Sequence, residues 1–355
     1  MESSTPIWKK VVNVFRDTAI SGGKGLQFLF HTGIENRHYF LPVVNGLVGD
    51  KLKEVSDKGA IEMRFRRNDE DIDIEDPYFE KELRSSNGKV FLFIHGLMSD
   101  EVLFQKYSSS IEGYGSRFSK ELGVSVFYIR YNSGLHISEN GKNLTDLLNR
   151  FYLLYSNKIN SIDIFAHSMG GLVTQSSTHY ARLNQHAWIQ KIRKIFLIGV
   201  PNDGSYLEKF GHLTTFLLKN IPNYPTRLVG RIADERSSGI KDLRWGFMVD
   251  EDWQEEGSEK FLNVKKTTVP PLEKVKYYLI IGSLIEDQNS LLAEYFGDGL
   301  VGMKSAGGTF SNGNEPHPNV SIHTFSETGH IKLLGNDSVY EFLKLEVSSE
   351  VSNSE

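Results

Sequence analysis

One serine of this sequence stands where a catalytic nucleophile would be expected. Residues 161–173 read SIDIFAHSMGGLV, so an apolar strand pattern leads to Ser168 and a glycine pair leads into an apolar helix pattern. A strand–serine–helix turn of this kind is a nucleophile elbow, in which the residues two before and two after the serine must be small. Gly170 fills the second of those positions, and Ala166 fills the first, where the usual motif has glycine. We therefore predict that Ser168 is a catalytic nucleophile.

A serine hydroxyl reacts only when a base takes its proton, and that base must be held by a third group. After such an elbow, the acid and the histidine follow the serine in the chain. His330 lies beside Gly329 in a short loop after the strand pattern of residues 320–325, and we predict that it is the base. The positions of four further histidines favour a packed or surface role over a catalytic one. His323 lies inside a predicted strand and His317 before it, whereas His179 lies along the elbow helix and His186 after it.

The acid of the triad is expected after the strand pattern of residues 275–282. Four carboxylates follow that pattern: Glu286, Asp287, Glu294 and Asp298. We prefer Asp298, because its flanking glycines permit a tight turn that could aim the carboxylate at a loop histidine. Asp287 is the alternative, since it lies nearer the end of the strand. Either could also be an ordinary turn aspartate.

Two backbone amides are candidates for stabilising a developing oxyanion. Met169 supplies one at the start of the elbow helix, where the helix dipole favours negative charge. Leu97 is the expected second donor, because it follows the apolar strand pattern of residues 89–94, and Gly96 would let the backbone approach closely. His95 either orients this loop or only fills space.

The elements that must position these residues alternate between strand and helix. Strand patterns, most of them rich in apolar residues, cover residues 89–94, 124–131, 161–165, 194–199, 275–282 and 320–325. With helical patterns between them, they predict an α/β fold with a mostly parallel central sheet covered by helices on both faces. A half-buried or edge strand is expected at residues 60–66, followed by an acidic loop at 68–76.

The predicted domain organisation has a helical extension, a main domain and a tail. Residues 1–60 form the extension, 61–345 the main domain and 346–355 a flexible tail. The alternation stops at about residues 205–271, a length that favours a helical cap inserted in the main domain. The extension could pack on the main domain, or an amphipathic part of it within residues 7–41 could contact a membrane surface.

Composition narrows the class of protein. The chain has 355 residues, 39% apolar and 24% charged, as expected of a globular protein, and its net charge of -5 does not favour nucleic acid as a partner. The absence of cysteine excludes disulfides, cysteine nucleophiles and thiolate metal sites. We expect no cofactor and no metal. Because no signal-peptide or membrane-spanning pattern is visible, we expect a cytoplasmic protein, with peripheral membrane contact as an option.

Several motifs resemble those of lipase-like α/β-hydrolases, in the esterase and lipase branch that includes bacterial triacylglycerol lipases and relatives of the GPI-inositol deacylase. They recur in the same order: His95-Gly96, AHSMGG at residues 166–171, VPNDGS at 200–205, DGLV at 298–301 and Gly329-His330. NGLVGD at residues 45–50 also resembles a segment of uncharacterised bacterial members. Two departures are Ala166 and the residues at 200–203, where family members often carry Thr-Pro-His or Asn-Arg.

The resemblance covers roughly residues 90–345 and implies the α/β-hydrolase fold, a triad of Ser168, Asp298 and His330, and ester hydrolysis. It also favours Asp298 over Asp287. The expected function is therefore a serine hydrolase that cleaves carboxylic esters, with lipid or acyl esters as substrates, through an acyl-enzyme. Cap residues are expected to receive the acyl chain, with simple packing as the alternative: Tyr206, Leu207, Phe210, Phe216 and Trp245.

Three other functions fit the same residues less directly. A thioesterase or an acyltransferase could use the same triad, because the sequence does not specify which group accepts the acyl chain. A non-catalytic binding module and a peripheral membrane protein belong to other classes. The intact serine, aspartate and histidine argue against the binding module.

Overall fold

A computed structural model of the chain describes residues 37–54, 60–108, 111–202, 204, 237–254, 266–283, 311–312 and 315–349. The main sheet has eight strands: β1 (Arg64–Arg67), β2 (Glu70–Ile72), β3 (Lys89–Ile94), β4 (Ser125–Arg130), β5 (Ser161–His167), β6 (Ile192–Ile198), β7 (Lys276–Gly282) and β8 (Val320–Phe325). A separate pair of two-residue strands joins Ser311–Asn312 to Glu315–Pro316.

Helices of the described residues lie before, between and after these strands. They are α1 (Arg37–Glu54), α2 (Pro77–Ser85), α3 (Val102–Gln105), α4 (Tyr114–Leu122), α5 (Ile137–Tyr155), α6 (Met169–Leu183), α7 (Ser238–Trp245), α8 (Asp250–Gln254) and α9 (Asp337–Ser348), with 3₁₀ turns at Ala187–Lys191 and Lys332–Leu334.

The strand order across the sheet is β8-β7-β6-β5-β3-β4-β1-β2. Pairing from β4 through β8 is parallel, whereas β1 runs antiparallel to both β4 and β2. The predicted mostly parallel sheet is therefore confirmed, and the six predicted apolar strands correspond to β3 through β8. Parallel pairing brings the carboxyl ends of these strands to one edge, where the loops that follow them meet.

An aromatic stack fixes the register of the four central strands. Phe93 of β3, Phe165 of β5, Phe196 of β6 and Tyr278 of β7 are cross-strand partners, and their rings stack at centroid separations of 4.7, 4.8 and 4.8 Å. A slip by one residue would send each ring to the opposite face of the sheet. The stack therefore determines where the carboxyl ends of β3, β5 and β6 lie relative to one another.

The two faces of the sheet bury separate cores. The aromatic face packs on α4 and α9 through buried residues such as Phe118, Tyr340 and Leu343. The aliphatic face carries residues such as Ile164 and Leu197 and packs on α5 and α6. Helix α6 is buried on nearly every side, so its polar side chains need internal partners.

The amino-terminal part differs from the sequence prediction in three ways. The sequence predicts a turn into a short helix at residues 42–52, but helix α1 continues through Pro42 and bends at Val48 (φ -141°, ψ 18°). The predicted strand at residues 60–66 is β1, which lies one position in from the edge and begins at Arg64. The predicted acidic loop contains β2, because Asn68 and Asp69 both have positive φ (49° and 64°) and form a hairpin turn.

At the other end, the sequence predicts a final helix at residues 331–345, but α9 begins at Asp337 and extends to Ser348. The tail prediction is therefore corrected over residues 346–348. Val347 is buried there on the aromatic face, and the buried Lys194 ammonium donates to the carbonyls of Glu346 and Ser349. These contacts stabilise the last turn of the helix.

Candidate active site

The turn between β5 and α6 holds Ser168 in a strained backbone conformation. Its φ is 53° and its ψ is -127°, a region that costs a residue other than glycine about 1–3 kcal/mol. Two hydrogen bonds hold the turn, because the Ser168 N–H donates to Ile198 O at 2.9 Å and the Gly171 N–H donates to Ser168 O at 2.9 Å. Strain of this kind is what the elbow prediction requires.

The two small residues of the elbow occupy the tight positions. A Cβ on Gly170 would overlap the carbonyl oxygen of His95 and lie 2.6 Å from that of Ile94, so only glycine fits where α6 crosses the end of β3. Ala166 is fully buried and is paired with Ile94 on one neighbouring strand and Leu197 on the other. One methyl group is accommodated there.

The loop after β3 lies directly against the elbow. A Cβ on Gly96 would lie 3.0 Å from Ser168 Cβ. The Gly96 carbonyl accepts hydrogen bonds from His95 Nδ1 at 2.8 Å and Ser99 Oγ at 3.0 Å. Because C=O and N–H point in opposite directions across a trans peptide, the Leu97 N–H faces away from those two donors. At the elbow, Met169 occupies the first position of α6, and its N–H has no acceptor within the helix.

His95 is the residue that orients this loop. Its Nε2 accepts the Tyr131 N–H at 3.2 Å, and Tyr131 Oη donates to His95 O at 2.9 Å, while the two rings stack 4.3 Å apart. Since a backbone N–H can only donate, Nε2 carries no proton and Nδ1 donates to Gly96 O. These bonds favour the orienting interpretation over simple space filling.

His330 lies in the loop after β8 and packs next to the elbow. Its ring lies 4.7 Å from the ring of His167, and a Cβ on Gly199, at the end of β6, would lie 3.0 Å from its Nδ1. The His330 carbonyl also lies 3.4 Å from His167 Nε2. His330 thus packs against His167 and Gly199. His167 directly precedes Ser168, and Gly199 directly follows Ile198, whose carbonyl accepts the Ser168 N–H.

A serine elbow at the carboxyl edge of a mostly parallel sheet, with a strand before it and a buried helix after it, is the defining local structure of one large fold. The chain has the α/β-hydrolase fold. The predicted fold is therefore confirmed. The resemblance to lipase-like α/β-hydrolases is confirmed for the fold.

Residues 63–233 match a family described as a domain of unknown function, DUF7379. No curated protein matches the chain.

Among solved structures, the chain is similar to three bacterial and archaeal proteins described as a lipase, an esterase and a carboxylesterase. The mature lipase BlEst2 of Bacillus licheniformis is 17% identical (TM-score 0.47), with 74% of this chain and 93% of that chain covered. The esterase Pf2001 of Pyrococcus furiosus is 14% identical (TM-score 0.43; 74% and 80% covered). The carboxylesterase CesB of Bacillus subtilis is 11% identical (TM-score 0.40; 76% and 85% covered). The fold assignment rests on the sheet and elbow of this chain.

Burial keeps His95 and His167, which lie beside Ser168, in their neutral form. It lowers the pKa of His95 to about 4. Burial, assisted by the electrostatic effect of His330, lowers the pKa of His167 well below its ordinary value.

A buried ion-pair cluster anchors the far end of the loop. Glu101 is fully buried and accepts from Arg130 Nε and Nη2 at 2.8 and 2.7 Å, and from Arg66 Nε at 3.0 Å. Burial alone would raise the pKa of Glu101, but the charge and hydrogen bonds of Arg130 outweigh it, and the pKa is lowered. Glu101 is therefore a charged anchor for the loop that begins at His95.

Several predicted site residues lie outside the described residues. These include the candidate acids Asp298 and Asp287 and four of the predicted cap residues, Tyr206, Leu207, Phe210 and Phe216. Trp245 is described. It is half-buried at the end of α7, where the Arg244 guanidinium lies 4.6 Å from its ring centroid. Helix α7 reaches the elbow through its first turn instead, because a Cβ on Gly239 would lie 3.1 Å from Met169 Cε.

Sequence reasoning missed the supporting residues Ser99, Tyr131 and Ser133. Tyr131 and Ser133 follow β4, which pairs with β3. A role for them in supporting the loop after β3 could have been predicted, because the carboxyl ends of neighbouring parallel strands lie side by side.

In the part of the chain that the structure describes, no three acidic or histidine side chains are grouped to hold a metal. Among those residues, too, no helix has the length and apolar character to cross a bilayer.

Proposed function

We propose that this protein is a serine hydrolase that cleaves carboxylic esters through an acyl-enzyme on Ser168. The observation that carries the proposal is the strained Ser168 backbone, with Gly96 packed against its Cβ on one side and the His330 loop packed next to the elbow on the other. A strained nucleophile turn persists only when the surrounding structure holds it, and such strain concentrates at functional sites.

The proposed reaction has two halves. His330 takes the Ser168 proton as the hydroxyl oxygen attacks the ester carbonyl, and the Leu97 and Met169 amides stabilise the oxyanion. The protonated His330 then donates to the leaving alcohol, and water, activated by the same histidine, releases the acid. Asp298 is the proposed group that orients His330, with Asp287 as the alternative.

Lipid or other acyl esters are the proposed substrate class. The proposed acyl-binding residues are those of the cap: Tyr206, Leu207, Phe210, Phe216 and Trp245. We further propose that the protein acts in the cytoplasm, with peripheral membrane contact through the amphipathic part of residues 7–41 as an option. The proposed substrate class and the membrane contact rest on the apolar residues of the cap and the extension.

Labelling with a fluorophosphonate probe tests the nucleophile. We expect the wild type and Ser161→Ala, at the opposite end of the same strand, to label equally, and Ser168→Ala to remain unlabelled. Ester turnover should fall by about 10⁶ in Ser168→Ala. Equal labelling of Ser168→Ala and the wild type would exclude the proposal.

A matched pair of variants tests the acid. Asp298→Asn should lower kcat on the order of 10⁴-fold, as expected when the group that orients a catalytic histidine is lost. Asp287→Asn should stay within about twofold of the wild type, because in the proposed mechanism Asp287 does not orient the histidine. The reverse result would move the acid to Asp287. A p-nitrophenyl ester series from acetate to palmitate, with matched thioesters and an added alcohol acceptor, then separates esterase, thioesterase and acyltransferase activity.

A further inference from the structure

The NGLVGD motif of α1 has no part in the chemistry proposed above, yet it lies against the loop that carries Leu97. We propose that residues 45–50, here called the brace, position the oxyanion loop by fixing the turn at Met98. This inference rests on the proposed function, because it assigns the brace a role in the same site. The brace residues act through the loop and are positioning residues.

Met98 is the residue through which the brace would act. It follows the proposed donor Leu97 and has a φ of 56°, in the left-handed region that costs a residue other than glycine about 1–2 kcal/mol. Such a conformation persists only if neighbouring groups hold it. Changing φ at Met98 would rotate the backbone that follows Leu97 and alter the direction of the adjoining peptide.

Two contacts hold Met98 in that conformation. Its N–H donates to Ser133 Oγ at 3.1 Å. Met98 also packs against Gly46, where an added Cβ would overlap the Met98 side chain and lie 3.2 Å from Met98 Cα and N. Because Met98 is buried, an alanine at position 46 would push its side chain aside and press on its backbone.

The brace is itself held rigidly on the main domain. Asn45, which is fully buried, donates from Nδ2 to Leu41 O at 3.0 Å and accepts the Ile61 N–H through Oδ1 at 2.8 Å. Asn132 Nδ2 donates to Gly49 O at 3.0 Å. A Cβ on Gly134 would lie 2.8 Å from Gly49 N. The brace thus packs against the same turn that presents Ser133 to Met98.

The brace also receives the first turn of α7. Ser237 Oγ donates to Gly46 O at 2.6 Å, and Ser238 donates from its N and Oγ to Asp50 Oδ2, both at 3.0 Å. One buried segment therefore supports both the oxyanion loop and the described start of the cap region. These contacts use the polar residues at the two ends of the motif, Asn45 and Asp50, and the glycine next to each of them.

Steady-state kinetics on p-nitrophenyl butyrate, with the full-length protein, test the role of the brace. Gly46→Ala should lower kcat about 10–100-fold, part of the 10²–10³ that one oxyanion donor contributes, while KM changes less than about threefold. The inhibition constant of a trifluoromethyl ketone, which mimics the tetrahedral intermediate, should rise by the same factor as kcat/KM falls.

A glycine on the other face of the sheet supplies the control. A Cβ on Gly115 would overlap the Tyr128 hydroxyl and lie 2.8 Å from Tyr128 Cε1, so Gly115→Ala introduces a comparable clash far from the elbow. This variant should lose stability and keep its kcat and its inhibition constant. The double variant Gly46→Ala/Met98→Gly should recover most of the kcat lost in Gly46→Ala, because glycine tolerates positive φ and removes the clashing side chain.

Ser133→Ala decides the question if Gly46→Ala does not fold. This variant removes one hydroxyl and should lower kcat about 5–10-fold by freeing the Met98 N–H. Wild-type kcat in folded Gly46→Ala and Ser133→Ala would overturn the inference and leave the proposed function intact. A wild type that neither hydrolyses the ester nor labels at Ser168 would overturn both.

Discussion

The Cα of Gly170 lies so close to the carbonyl oxygen of His95 that even a methyl group there would overlap the oxygen. The elbow helix and the end of β3 are therefore in backbone contact. We expect Gly170→Ala to destabilise the protein by about 2–3 kcal/mol through overpacking and to displace the loop that carries Leu97.

Urea denaturation and kcat measured on the same preparations test this expectation. Gly123→Ala is the control, because a Cβ there has no neighbour within 4 Å and only the positive φ of 62° opposes it. The control should lose about 1–2 kcal/mol and keep its kcat. If Gly170→Ala matched the control in both measurements, the backbone contact would not constrain the site.

The strain at Ser168 predicts an unusual order of stability. Ser168→Gly and Ser168→Ala both remove the nucleophile, but only glycine relieves a φ of 53°. We expect the glycine variant to be more stable than the alanine variant by about 1 kcal/mol. In the middle of an ordinary helix the order is reversed, by about 1 kcal/mol.

The exposed Ser119 of α4 provides that ordinary comparison. Thermal or chemical unfolding of the four variants gives two differences in free energy of unfolding that should have opposite signs. Two differences of the same sign would mean that the elbow backbone relaxes at no cost.

The lowered pKa of His95 predicts a specific loss of folding stability in acid. Its folded-state pKa of about 4 lies below the ordinary value of 6.5, so the unfolded chain takes up the proton first as the pH falls. The folded state should lose about 3 kcal/mol relative to the unfolded state between pH 6.5 and pH 4, and little more below pH 4.

Comparison with His95→Asn isolates this contribution, because the variant keeps a side-chain donor near Gly96 and every other titrating group. The difference in free energy of unfolding between the wild type and the variant should become about 3 kcal/mol smaller when urea denaturation is measured at pH 4 instead of pH 7. Parallel pH profiles for the two proteins would show that His95 does not carry the effect.

His167 should affect catalysis through the position of His330. His167→Phe keeps a ring beside His330 but removes the Nε2 contact to the His330 carbonyl, and we expect kcat to fall about tenfold. His167→Ala also removes the packing and should lower kcat by about 10². His179→Phe, on the elbow helix α6, should leave kcat unchanged. An unaltered kcat in His167→Ala would remove His167 from the site.

Most of the fold could be predicted from signals that are local in the sequence. The apolar strands β3 to β8 and the elbow could be predicted because each depends on a short run of residue types. The β1–β2 hairpin also had a local signal, since Asn68 and Asp69 tolerate positive φ, but the acidic composition suggested a loop. Helix α2 also had a local signal, because Asp76 caps its amino-terminal end and Pro77 lies in its first turn.

Contacts between distant segments could not be predicted in the same way. The approach of Gly46 to Met98, and the packing of His330 against Gly199, depend on which helix crosses which loop. No periodicity in the sequence encodes such crossings. Which of Asp298 and Asp287 would reach His330 is a question of the same kind, and the glycines on both sides of Asp298 are the local signal that favours it.

The position of β8 has a consequence for how activity would be lost. Within the described residues, β8 is the last strand at one edge of the sheet and pairs with β7, and it leads directly into the loop of His330. An edge strand can detach by local opening at a lower free energy than global unfolding requires. Under mild denaturant the proposed base would then leave the site while β3, β5 and β6 stay paired, and inactivation would precede the loss of the aromatic stack.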